Sequence, residues 1–231
     1  MKRPMNIRYS FIQILFYASM SCLMGFASVY LLSKDFSNTL IGTTLSVSSI
    51  LLVFTQMAIA IFSDKHYEIK IQTIVVSILG ICVLSSIGLY FIDTQKMIIF
   101  TLFVLTTVTL QTVMPLLNSL AFLFEGKGII INYGLARGLG SAAYALTSLL
   151  IGYFTVYFDV SYLPIIYIII ILALLGIVKT YGQSLEVGNM RENNKQDSIS
   201  IIRFLMKYKH FSFFILGSIC VYIAHVFINL L

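Results

Sequence analysis

Seven long apolar runs separated by short polar breaks constrain this chain more than any other feature. They lie at 11–32, 40–62, 71–92, 97–124, 135–158, 162–178 and 211–231, and are 17 to 28 residues long. About 20 residues of helix cross a bilayer core. A chain built this way has no soluble fold available: 59% of its 231 residues are hydrophobic and 10% are charged. Globular domains run near half apolar and a quarter charged. The mean hydropathy of +0.96 belongs to the whole chain and not to one segment. Lipid-exposed backbone must satisfy its own hydrogen bonds, and no barrel-like alternation appears, so the runs are expected to be helices. The expected fold is all-α, a polytopic membrane helix bundle. Disordered proteins, disulfide scaffolds and ordinary cytosolic enzymes are excluded.

The few charges set the orientation. Fifteen Lys/Arg stand against nine Asp/Glu, for a net charge of +6. With the N-terminus cytoplasmic, 13 of the 15 basic residues fall inside and only Lys34 and Lys96 fall outside, as the positive-inside rule requires. The expectation is a multi-pass protein of the cell membrane, with the lipid bilayer as its surroundings and no nucleic-acid partner. Cys22, Cys82 and Cys220 lie inside apolar runs without paired spacing and read as small buried hydrophobes; no metal site is expected. The first run is too long for a signal-peptide core.

Polar residues mark the boundaries. Ser37-Asn38 offers a cap for the second run, Asn132 precedes the fifth, and Asp159 and Ser161 precede the sixth, with Pro164 in its first turn. The only long polar stretch follows the sixth run. The expected organisation is a six-helix bundle over 1–181, a cytoplasmic linker over 182–209 and a seventh helix over 210–231.

Polar side chains inside apolar runs are costly in lipid and point to function or to helix-to-helix bonding. In the fifth run, Arg137, Ser141, Tyr144 and Ser148 are spaced i, i+4, i+7, i+11 and share a helical face. Gly134, Gly138 and Ala142 form a small-residue stripe on another face, suited to close helix packing. In the fourth run, Thr107, Gln111 and Asn118 share a face, and Pro115 interrupts the hydrogen-bond ladder between them. The fourth and fifth runs are antiparallel, so Asn118 and Arg137 sit at comparable depth and could contact one ligand or each other. Arg137 alone would snorkel to the interface; the array with Ser141 and Tyr144 favours a cavity-lining role. Gln111, Asn118, Gln13 and Gln56 can also serve as bonds between helices. Asp64 ends the second run, where the helix dipole disfavours an anion. A gate residue or a turn cap would account for it.

Ser63-Asp64-Lys65, followed by Lys70, resembles the helix 2–3 loop signature of the major facilitator superfamily. Ala60 and Tyr67 stand where that signature has glycines, and Ile69 where it has a basic residue. The resemblance implies a gating role for Asp64 and Lys65. Pro115-x-x-Asn118, then Tyr133-Gly134-x-x-Arg137-x-x-Gly140-Ser141-x-x-Tyr144, looks like helices 4 and 5 of the lactose permease group of oligosaccharide–proton symporters. In that group, the arginine at the Arg137 position binds sugar hydroxyls and an aromatic at the Tyr144 position stacks on the sugar. A carboxylate at the Asn118 position completes the site. Here it is an amide, which can bond a hydroxyl but cannot pair with Arg137 as an ion.

The resemblance implies a secondary transporter for a small polar solute such as a sugar or nucleoside. No cofactor is implied, and the proton gradient is the expected driving force. It covers the N-terminal half of such a transporter plus part of helix 7. The chain is therefore expected to be truncated there, to need a separately encoded C-terminal half, and not to transport alone. The substrate-binding residues expected are Arg137, Tyr144, Ser141, Asn118 and Gln111. The alternative is a non-transporting seven-helix sensor or assembly protein. An intramembrane enzyme has no support, since Asp35, Asp64, Asp93 and Asp159 all lie at run ends.

Overall fold

The computed structural model describes residues 2–66, 68–122 and 131–183, together with 208, 212–214, 217, 218, 220 and 221. The chain divides into two compact units, Met1–Met190 and Arg191–Leu231. In the second, residues 212–214, 217, 218, 220 and 221 are helical. Most of the expected linker and seventh helix lies outside the described residues.

The first unit is a helical bundle in which, among the described residues, six helices are long and apolar enough to cross a membrane. Its elements are α1 (Lys2–Met20), a π turn (Ser21–Gly25), α2 (Ala27–Ser33), α3 (Asn38–Lys65), α4 (Ile71–Phe91), α5 (Lys96–Phe122) and α6 (Tyr133–Tyr157). A 3₁₀ turn (Val160–Tyr162) then leads into α7 (Leu163–Gln183). The second to sixth apolar runs correspond to α3 to α7. The first run is the exception: its helix starts nine residues early, at Lys2, and is broken by the π turn before α2.

The capping residues act as their types dictate. Ser37 Oγ accepts from Leu40 N at 3.3 Å, and Asn132 Oδ1 accepts from Leu135 N at 3.0 Å. Asp159 Oδ1 accepts from Ser161 N at 2.7 Å, which holds its carboxyl below the usual range. The end of α2 is a Schellman motif. Asp35 takes φ 58°, its N–H reaches Leu32 O, and the Phe36 N–H reaches Leu31 O. Phe36 and Leu31 are both buried, supplying the apolar contact that accompanies this cap.

Within the bundle α1 packs on α6, α7 and α5, while α4 lies against α5 and α7 and α3 leans on α5. The most apolar 18-residue window of α5 is 56% buried, against 6% for α3 and 11% for α6. The last two therefore carry outward faces, with Phe54, Met57 and Leu149 among the exposed side chains. Such faces cost nothing in lipid. Several of the buried polar groups bond across helices. Cys82 Sγ lies 2.8 Å from Tyr167 Oη, Thr106 donates to Ser85 Oγ at 2.8 Å, and Tyr30 donates to Leu89 O at 2.9 Å. At the end expected to face outward, buried Lys34 pairs with Asp93 and reaches Ser161 Oγ at 3.4 Å. This joins the end of α2 to the α4–α5 and α6–α7 connections.

Candidate functional site: a polar cluster among α1, α5 and α6

A group of polar side chains converges on one face of α1. Tyr9, Gln13 and Tyr17 recur at i, i+4 and i+8, so they stack along a single stripe. Gln13 is almost fully buried and its amide links three helical positions. Gln13 Nε2 donates to Tyr9 Oη at 2.7 Å and to Asn118 Oδ1 on α5 at 3.3 Å. Tyr9 in turn donates to Leu117 O at 3.4 Å. One turn of helix further along α1, the Arg137 guanidinium of α6 lies over the Tyr17 ring, 4.8 Å from its centroid, within cation–π range. Tyr133, in the first turn of α6, faces Tyr9 with ring centroids 6.5 Å apart.

The two helices approach closely because of a glycine. A Cβ added at Gly140 would stand 2.6 Å from Tyr17 Cδ2, so the bare backbone of α6 is what admits the Tyr17 ring. This corrects the expected packing stripe. Nothing lies within 4 Å of a Cβ at Gly138, and at Gly134 only the helix's own cap residue does; Ala142 is exposed. Gly140 lies about 200° round the helix from Gly138, and with buried Ala136 it forms the stripe that meets α1.

The π turn extends the cluster. Ser21 Oγ and Ser148 Oγ are 2.7 Å apart, and the Tyr144 hydroxyl would stand 3.3 Å from a Cβ at Gly25. Gly25 thus leaves room for the Tyr144 head. π bulges concentrate at functional sites, and this one sits where α6 presents its polar face.

The proline of α5 has a local consequence. Pro115 lacks the N–H that would bond the carbonyl four residues back, at Gln111. Gln56 of α3 replaces it: Gln56 Nε2 donates to Gln111 O at 3.2 Å. The Gln111 amide itself points to Met24 Sδ of the π turn at 3.9 Å.

The expected site residues therefore divide. Arg137, Tyr144, Asn118 and Gln111 all lie against α1 or its π turn, and Ser148 joins them. Ser141 is exposed, and its hydroxyl bonds back to Arg137 O at 3.3 Å. Asn118 and Arg137 are brought to the same helix of α1, but Asn118 is engaged by Gln13 and Arg137 by the Tyr17 ring. Asp64 and Lys65 are exposed in the last turn of α3, with no bonded partner among the described residues. Tyr9 and Tyr17 were not singled out from sequence; their i, i+8 spacing about Gln13 is the signal that marks them.

Among the described residues no carboxylate pairs with Arg137, and Arg137 Nη1 and Tyr17 Oη are buried without a hydrogen-bond partner. The arrangement is a cationic, hydroxyl-bearing and aromatic cluster at the meeting of three apolar helices.

No curated protein and no solved structure matches the chain. The model of the MFS_1 like family matches residues 6–230. A match over nearly the full length, on six apolar helices that hold a polar cluster between them, places this transporter-like, multi-pass membrane chain in the MFS_1 like family.

Proposed function

We propose that the chain is part of a secondary active transporter of the cell membrane, with its N-terminus cytoplasmic, and that the α1–α5–α6 cluster binds its solute. The observation that carries this reading is the meeting of Asn118 and Arg137 with Gln13 and Tyr17 on one face of α1, with Tyr144 beside the π turn that follows, each a costly group to keep at membrane depth. The solute is small and polar, and a proton gradient drives uptake or exchange. Alternating access moves two bundles about a site near the midplane. This bundle supplies one wall, and a second bundle, on this or a separately encoded chain, supplies the other. Asp64 and Lys65, in the last turn of α3, gate that movement. The likeness of the α5–α6 motifs to the lactose permease group supports the placement of the site.

The test is equilibrium solute binding to the purified chain in lipid nanodiscs. Arg137→Ala abolishes binding while leaving helical circular dichroism intact. Unchanged binding in that variant would mean that Arg137 only anchors α6 at the interface.

A further inference from the structure

We infer that the solute carries an oxyanion, a carboxylate or phosphate group, held by Arg137 with Tyr17 as a second donor. This rests on the reading of the α1–α5–α6 cluster as the solute site and names the chemistry that site selects. Three observations carry it.

The first is charge. Arg137 is a cation among membrane helices, and the described acidic residues Asp35, Asp64, Glu68, Asp93 and Asp159 all lie at helix ends or in connections. None of them pairs with it. A site built for a neutral solute would neutralise its arginine internally, because an unpaired buried charge is strongly disfavoured. Here the polar residue that α5 brings to α1 is the amide Asn118, whose Oδ1 already accepts from Gln13.

The second is the pair of orphan groups. Arg137 Nη1 and Tyr17 Oη are both buried without a partner, and the Tyr17 ring lies beneath the guanidinium. The guanidinium is a donor only, and the phenol hydroxyl donates as readily as it accepts. Two donors on neighbouring side chains match the two oxygens of one oxyanion, and such charge-assisted bonds are the strong ones.

The third is the way the site is closed. Tyr17 rests on the bare backbone at Gly140, while Arg137 as a whole is only half-buried. The residue is therefore partly open to a solute, although Nη1 itself is buried.

The test uses the full chain in nanodiscs at fixed ionic strength, with succinate, inorganic phosphate and lactose as probes. Succinate or phosphate is expected to bind, and which of the two does so separates a carboxylate from a phosphate group. Lactose is expected neither to bind nor to compete. Arg137→Gln weakens the anion by about a hundredfold, Arg137→Lys by about tenfold because the charge stays but the planar fork is lost, and Tyr17→Phe by about fivefold. Should Arg137→Gln fail to fold, Arg137→Lys and Tyr17→Phe carry the comparison. Lactose binding that is lost in the Arg137 variants would overturn the oxyanion and leave the cluster as the solute site. Probe binding indifferent to Arg137 and Tyr17, or no binding of any probe, would overturn both.

Discussion

At the scale of single residues, Gly140 and Gly138 give the sharpest contrast. Both are glycines of one membrane helix two positions apart, yet a Cβ meets the Tyr17 ring at the first and open space at the second. Gly140→Ala must push Tyr17 aside, at a cost of about 1–3 kcal/mol for overpacking. Gly138→Ala meets no clash and is expected to be neutral or to gain up to about 1 kcal/mol from the lost glycine entropy. Unfolding in mild detergent measures both, and equal effects would contradict the packing of α1 on α6 described above. The sequence alone favoured the other stripe because Gly134, Gly138 and Ala142 form the more regular small-residue series. Which of two small-residue faces meets a neighbour is decided by the partner helix, and the i, i+4 arithmetic of one helix carries no information about that. Tyr9 and Tyr17 were hidden for related reasons: Tyr9 precedes the first apolar run, and an aromatic inside a run, as Tyr17 is, reads as packing until a buried amide such as Gln13 is seen between them.

At the scale of elements, the spans were legible and their interruptions were not. Helices of membrane-crossing length follow from apolar runs of about 20 residues, and the caps at Ser37 and Asn132 follow from side chains that can accept a backbone N–H. The π turn at Ser21–Gly25 leaves no such mark, since Ser-Cys-Leu-Met-Gly is ordinary membrane-helix sequence. Pro115 is visible, but its remedy is not, because Gln56 reaches Gln111 O from another helix. This makes a double-mutant prediction. Gln56→Leu alone leaves the Gln111 carbonyl unpaired and costs about 1–2 kcal/mol. In a Pro115→Ala background the restored N–H bonds that carbonyl within α5, so the same change costs less, by a coupling of about 0.6 kcal/mol, typical of membrane hydrogen bonds. Additive losses in the thermal or chemical unfolding of the four proteins would show that Gln56 does not cap the proline gap.

At the scale of the whole molecule, composition dictated a helical membrane bundle, while the function rests on a handful of polar residues within it. The sequence placed Arg137, Tyr144, Asn118 and Gln111 on two helices; the bundle brings Asn118 and Arg137 to Gln13 and Tyr17 of α1, and Gln111 and Tyr144 to Met24 and Gly25 of the π turn that follows it. Ser141 is the informative remainder. It shares the Arg137 face of α6 by spacing, yet it is exposed in the bundle, so it opens either to lipid or to a water-filled path leading to the cluster. Thiols react as thiolates, which form in water and not in hydrocarbon. With exposed Cys220 replaced by serine and Cys22 and Cys82 buried, the direct measurement is maleimide labelling of Ser141→Cys in membranes, with and without bound solute. A solute path along this face of α6 predicts rapid labelling by a water-soluble maleimide and slowing by the solute. A thiol that stays unreactive there would contradict the claim that α6 lines a solute site.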